Sequence, residues 1–209
     1  LYYYQPFSKN FVFIYLFIYL NERYFFMNII DNILQINNEF TSKIKINSLK
    51  KSKYPQKKLA IISCMDTRLI DFLEPALGIH RGDAKIIKTA GNIITNDFND
   101  IIRSLLICIY QINIKDIIVI GHYDCGMHTT SAESLVDKML HSGINVNELK
   151  KIKKDLKSWI SSFSNPKDNI IQSVNNIINN PLIPQNILVH GMIIDPITGK
   201  VDILINNYN

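Results

Sequence analysis

Two cysteines and a histidine stand out by type and spacing. Cys64 begins Cys64-Met65-Asp66-Thr67-Arg68 at the end of one apolar run, and His122 and Cys125 frame His122-Tyr123-Asp124-Cys125-Gly126 at the end of another. Thiolate sulfur and imidazole nitrogen are the donors zinc prefers, with Zn–S near ~2.3 Å and Zn–N near ~2.1 Å. His122 and Cys125 are close enough in sequence to chelate one ion as the chain turns, and Cys64 would approach from a neighbouring strand. Three protein ligands leave a fourth tetrahedral position open, the mark of a catalytic site, because water bound there has its pKa lowered towards ~7 and becomes a nucleophile at neutral pH. The bland alternative is two buried thiols and a core histidine. It suits a lone cysteine such as Cys108, on the apolar face of a helix, better than three donors at two strand ends. A structural zinc closed by a fourth ligand has one nearby candidate, Asp66.

Asp66 and Arg68 have a better joint use. In a dry cleft an isolated carboxylate takes up a proton, whereas an adjacent guanidinium keeps it ionised and fixes its direction by paired hydrogen bonds. An ionised Asp66 can then accept a hydrogen bond from the attacking hydroxyl and aim its lone pair. The competing reading is an ordinary ion pair at a strand end. A cysteine phosphatase is excluded, since Cys64 and Arg68 are four apart and the loop lacks glycines to cradle a phosphate.

Something must bring these residues together. Leu59 to Ser63, Ala84 to Thr89, Asp116 to Gly121 and Asn186 to Gly191 are short apolar runs of the kind that form buried parallel strands. Helical periodicity is predicted from Ile29 to about Lys45, from Asp97 to Gln111, from Val146 to Phe163 and from Asn169 to Asn179. Asp195-Pro196 and Thr198-Gly199 mark a turn before a last strand, Lys200 to Ile205. The expectation is an α/β fold: a mostly parallel sheet of four strands, a C-terminal antiparallel edge strand, and helices on both faces. Functional residues of such sheets gather at the carboxyl ends of the strands, where the three donors lie.

With 209 residues, 47% of them hydrophobic, the chain can bury one full core, which rules out disordered and collagen-like classes. Ile and Asn are used far above average, so Asn-rich stretches carry no weight. A net charge of +5 is spread over several segments, giving no nucleic-acid footprint. Three cysteines are too few for a disulfide framework and fit a reducing compartment, the cytoplasm. Residues 1–26 differ in character. Their apolar run, Phe11 to Leu20, is shorter than the ~20 residues of a spanning helix, so no stable membrane insertion is expected. The segment reads as an over-extended gene start ahead of Met27, the alternatives being an export or membrane-associated segment and a structured arm. Residues 27–209 read as a single catalytic domain.

Taken with Ala90-Gly91-Asn92, the two ligand motifs resemble the signature of the β-class carbonic anhydrases. The similarity runs from about Ala60 to the Gly199-Lys200 region. Glu74-Pro75-Ala76-Leu77-Gly78 and Arg81-Gly82-Asp83-Ala84 resemble a compact subgroup common in archaea and Gram-positive bacteria. The resemblance implies one zinc per chain on Cys64, His122 and Cys125, a catalytic dyad of Asp66 and Arg68, and substrate binding along Gly91 and Asn92, where a residue without a side chain admits CO2 or bicarbonate. It implies reversible hydration of CO2 and a homodimer or dimer of dimers. Plant-like members carry a glutamine in the segment matching Gly78-Ile79-His80-Arg81, and this chain has none there. His80 and His128 are candidate proton relays. Carbon disulfide and carbonyl sulfide hydrolases resemble the same signature, and a catalytically silent zinc-holding regulatory module is the alternative from another class.

Overall fold

The computed structural model describes residues 28–43, 51–95 and 98–208; the segment 1–26 lies outside them. The chain divides into two compact units, residues 1–50 and 51–209. In the first, α1 (Ile29–Lys43) is an amphipathic helix whose apolar residues, among them Ile29, Ile33 and Phe40, are exposed.

The second unit is built on one five-stranded sheet of order β2-β1-β3-β4-β5. Its strands are β1 (Leu59–Cys64), β2 (Ala84–Thr89), β3 (Asp116–His122), β4 (Leu188–Ile194) and β5 (Val201–Ile205). The first four run parallel and β5 pairs antiparallel with β4 at the edge, as the apolar runs predict. Alternation of side chains along each strand splits the core in two. Ala60, Ile62, Ile117 and Val119 join Ile102 and Leu105 of α3 (Asp100–Leu106) and Ile170 and Val174 of α6 (Pro166–Ile178) on one face. Leu59, Ile61 and Ile120 join Leu69, Leu73 of the short α2 (Leu73–Ala76) and Phe163 on the other. Cys108 is buried in the first cluster, as its place on the helix suggests. Among the described residues no helix is long and apolar enough to cross a membrane.

The element ends differ from the sequence reading in instructive ways. Asn186–Gly191 was expected for the fourth strand, yet pairing carries on through Gly191 to Ile194. A glycine suggests a strand end, but here it is interior because α6 lies against it: a Cβ at Gly191 would stand 3.0 Å from Ile170 Cγ2, and one at Gly121 2.8 Å from Ile170 Cδ1. Helix α6 starts at Pro166, ahead of the expected Asn169. Proline takes the first helical turn and the Asn165 side chain accepts from Asp168 N. Helix α3 is capped by Asn99 and runs into a π-helical turn, Ile107–Gln111; Asp97, its expected start, is outside the described residues. Between β3 and the long α5 (Val146–Ser161) lies a helix the periodicity did not reveal, α4 (Ala132–His141), capped by Ser131. Asp195 forms the expected turn before β5, its carboxylate accepting from Ile197 N and Thr198 N.

Ile170 of α6 thus lies against both β3 and β4. Ile170→Ala should cost about 2–5 kcal/mol of stability, the range for removing a fully buried aliphatic side chain. Equilibrium urea unfolding followed by circular dichroism checks this, and the midpoint should fall with little change in slope.

Candidate metal centre

From β1 the chain goes to β2 on one side and then to β3 on the other, so the crevice between the carboxyl ends of β1 and β3 is the topological switch point where open α/β sheets bind ligands. Cys64 is the last residue of β1 and His122 the last of β3. Beyond His122 the chain reverses through Asp124, held at φ +53°, a left-handed conformation that Asp tolerates better than most residues. The reversal swings Cys125 back to Cys64, sulfur to sulfur 3.9 Å apart.

One donor atom from each of Cys64, His122 and Cys125 lies within 4.8 Å of the others, and all three residues are buried. Two sulfurs sharing a tetrahedral zinc stand about 3.8 Å apart, given bond lengths near ~2.3 Å, so the separation fits. The tautomer also fits. His122 Nδ1 is 2.8 Å from the Tyr123 carbonyl, a partner that only accepts, so Nδ1 carries the proton and Nε2 keeps its lone pair. That Nε2 is buried and without a hydrogen-bond partner, as a metal ligand should be.

The ionisation pattern reflects the crowding. Contact with Cys125 holds Cys64 down to about 4, against the effect of burial. Cys125 is pushed far up by the same shared contact and by burial. Burial pulls the His122 ring down, but the nearby Cys64 thiolate, the Tyr123 carbonyl and the Asp66 charge outweigh it and raise the ring.

Asp66 stands beside the three donors, its Oδ2 3.7 Å from His122 Nε2, and it is fully engaged by Arg68. Oδ1 accepts from Arg68 N at 2.9 Å and Nε at 3.0 Å, and Oδ2 from Nη2 at 2.9 Å. These bonds hold Asp66 down to about 2, against partial burial, and raise Arg68. The guanidinium reaches on to Asp124, Nη1 to Oδ2 and Nη2 to the backbone oxygen, both at 2.8 Å. Asp124 escaped the sequence reading, although it sits inside the His-x-x-Cys motif. The dyad and the two cysteines line a cleft of about 530 Å³, together with Met65, Ala90, Met127 and Thr130, and His122 lies buried behind it.

Residues 59–201 match the profile of the carbonic anhydrase family. The chain is a β-class carbonic anhydrase by family. Among its relatives, YtiB of Bacillus subtilis, itself assigned to the carbonic anhydrases, is 41% identical over 186 residues, 88% of this chain and 100% of that protein. A carbon disulfide hydrolase of Saccharolobus solfataricus is 32% identical over 69% of this chain and 76% of its own. The crystal structure of β-carbonic anhydrase isoform I from Trichomonas vaginalis superimposes with a TM-score of 0.82 at 44% identity, covering 87% of this chain and 100% of that one.

Two other residues tied to the β-class signature sit differently from the expectation. Gly91 and Asn92 are buried, and the space a Cβ would take at Gly91 is filled by Met127 Cγ at 2.7 Å and Phe163 Cδ2 at 3.3 Å. With φ at +65°, Gly91 is required by packing and backbone, and its neighbour Ala90 is the one that lines the cleft. Asn92, at φ +47°, presents its Oδ1 towards Gly121. His80 is exposed, its N–H bonded to Asp83. His128 is exposed, its Nδ1 2.9 Å from the Ser164 carbonyl. Neither histidine is among the residues that line the cleft.

Two measurements check this geometry. Cys125→Ser should reduce bound zinc from about one per chain to a small fraction after dialysis, read by elemental analysis. The Asp66–Arg68 pair gives a sign for pH. Because Asp66 is lowered to about 2 in the folded chain, its stabilising effect is complete above the unfolded value near ~3.9 and is lost as pH falls through about 2. Arg68→Ala should therefore narrow the stability difference from wild type only below about pH 4, measured by denaturation at stepped pH.

Proposed function

We propose that this chain catalyses the reversible hydration of CO2 to bicarbonate and a proton, with zinc held by Cys64, His122 and Cys125. The observation that carries the reading is the ionised Asp66, locked by Arg68 and placed 3.7 Å from the His122 nitrogen that faces the two sulfurs. Zinc bound there lowers the pKa of water towards ~7 and supplies hydroxide at neutral pH.

The remaining work falls to the chain. Asp66 accepts a hydrogen bond from the attacking hydroxyl, which leaves an oxygen lone pair directed at the carbon of CO2. One C–O bond forms, one C=O electron pair moves to oxygen, and bicarbonate results. The released proton cannot rest on Asp66, whose pKa of about 2 is far too low, so it passes to solvent buffer. Arg68 orients without binding product: four of its five N–H groups are already committed to Asp66 and Asp124. Met65, Ala90 and Met127 give the cleft an apolar lining suited to an uncharged gas. Ala90 forms part of the cleft wall, with Gly91 and Asn92 packed behind it.

The same reading places the enzyme in the cytoplasm, supported by three free cysteines, two of which must stay reduced to bind metal. It assigns catalysis to residues 27–209 and treats 1–26 as dispensable. A homodimer or dimer of dimers is proposed, supported by the family and by the exposed apolar residues of α1. A carbon disulfide hydrolase is the competing activity, and the open cleft and the greater likeness to carbonic anhydrases favour CO2.

Asp66→Asn should keep zinc yet lose about 10²–10⁴ of the CO2-hydration rate, the range for a positioned acid–base group. Stopped-flow hydration with zinc determined in parallel tests it. Near-wild-type rates in the zinc-replete variant would overturn the dyad. Carbon disulfide turnover without CO2 hydration in the wild type would shift the assignment to the hydrolase.

A further inference from the structure

We infer that Asp124 is a positioning residue for CO2 hydration, fixing through the Arg68 guanidinium where the Asp66 carboxylate stands relative to Cys64, His122 and Cys125; the inference rests on the hydration reading. Asp66 and Arg68 belong to one short turn. After Cys64 the chain enters a 3-10 turn, Thr67–Leu69, which Asp66 caps by accepting from Arg68 N. The side-chain bonds of the pair, Nε to Oδ1 and Nη2 to Oδ2, join residues two positions apart. They set the carboxylate against the guanidinium, yet leave both free to move as one body with the turn. His122 belongs to another strand, so the 3.7 Å between Asp66 Oδ2 and His122 Nε2 calls for a tie across the crevice.

Asp124 supplies that tie from between His122 and Cys125. Nη1 donates to its Oδ2 and Nη2 to its backbone oxygen, both at 2.8 Å and across 56 positions of sequence. The planar fork is thus engaged along two edges, Nε and Nη2 by Asp66 and Nη1 and Nη2 by Asp124. Exposed ion pairs add little stability. Engagement along two edges acts on direction instead, because the guanidinium can no longer pivot on either partner alone. Asp124 is itself held in place: it occupies left-handed backbone at φ +53°, and its neighbour Tyr123 N donates to the Ile194 carbonyl, at the end of β4, at 3.1 Å. A turn seated on the sheet therefore carries both the donors that flank Asp124 and the anchor of the dyad. Placement of this kind matters to rate, since about 1 Å of displacement caused by a contact outside the chemistry can cost about 100-fold.

The test uses the full chain loaded with zinc. Asp124→Gly removes the carboxylate and takes positive φ without strain, while Asp124→Asn keeps the turn and a neutral acceptor for Nη1. Asp124→Gly should retain about one zinc per chain and lose about 10–100-fold in CO2-hydration rate per bound zinc; Asp124→Asn should recover most of that loss. In an Arg68→Ala background Asp124→Gly should cost nothing further, because its route to Asp66 is already cut, whereas an effect on folding alone would be equal in both backgrounds. Nitrogen-15 NMR of the guanidinium reads the tie apart from activity. Arg68 should give separate Nη1 proton signals in wild type, averaged by bond rotation in Asp124→Gly. An unchanged rate per zinc in folded Asp124→Gly, an equal loss with and without Arg68, or averaged Nη1 signals in wild type would each overturn the inference. Wild type that hydrates no CO2 while keeping separate signals would instead bring down the hydration reading, with the tie itself intact.

Discussion

Two sulfurs stand 3.9 Å apart in a buried crevice, and the rest of the site is arranged around that contact. The contact draws the two thiols apart in acidity, Cys64 downward and Cys125 upward. Two thiolates this close repel, and burial deprives them of solvent. A divalent cation would allow both to ionise, so metal binding at this point would release protons and contribute to the folding free energy of the strand ends. The backbone reversal at Asp124, which brings Cys125 across to β1, places a residue at positive φ. Arg68 bonds both ends of that residue, carboxylate and carbonyl, and so ties the reversal to the β1 motif.

The sequence conveys the donors and the strands for related reasons. A parallel strand buried on both faces must be continuously apolar, so Leu59–Cys64 and Asp116–His122 declare themselves, and the first polar residue or cysteine after such a run falls at the ligand-binding edge. What stays hidden is what depends on a partner distant in sequence. Gly191 resembles a strand end until Ile170 is seen lying on it. Helix α4 has only Ala132 fully buried, so its apolar stripe is faint. Gly91 invites the reading that a missing side chain makes room for substrate, whereas the room is taken by Met127 and Phe163, 36 and 72 positions away in the sequence. Asn169 lies in a chain so rich in asparagine that composition conceals it, and its buried 2.8 Å bond to the Gly91 carbonyl is visible only in the fold.

The position of Asp66 decides whether this centre is structural or catalytic. Its Oδ2 is near enough to the three donors to serve as a fourth ligand, and a zinc so closed would have no place for water. Arg68 prevents this by offering the carboxylate three N–H groups in fixed directions, its own backbone N–H included. A side chain as exposed as Arg68, 39% accessible, gains only about 0–1 kcal/mol from a single ion pair, so one partner would hold it loosely. The second acid supplies the difference. By bonding Asp124 as well, the guanidinium is fixed at both ends between the strand that provides Cys64 and the turn that provides Cys125. To leave Arg68, Asp66 would have to break a bidentate pair whose other member cannot follow it. A zinc held by Cys64, His122 and Cys125 would thus keep its fourth position through a contact outside the ligand set, because the turn that brings Cys125 to Cys64 also supplies Asp124 to Arg68.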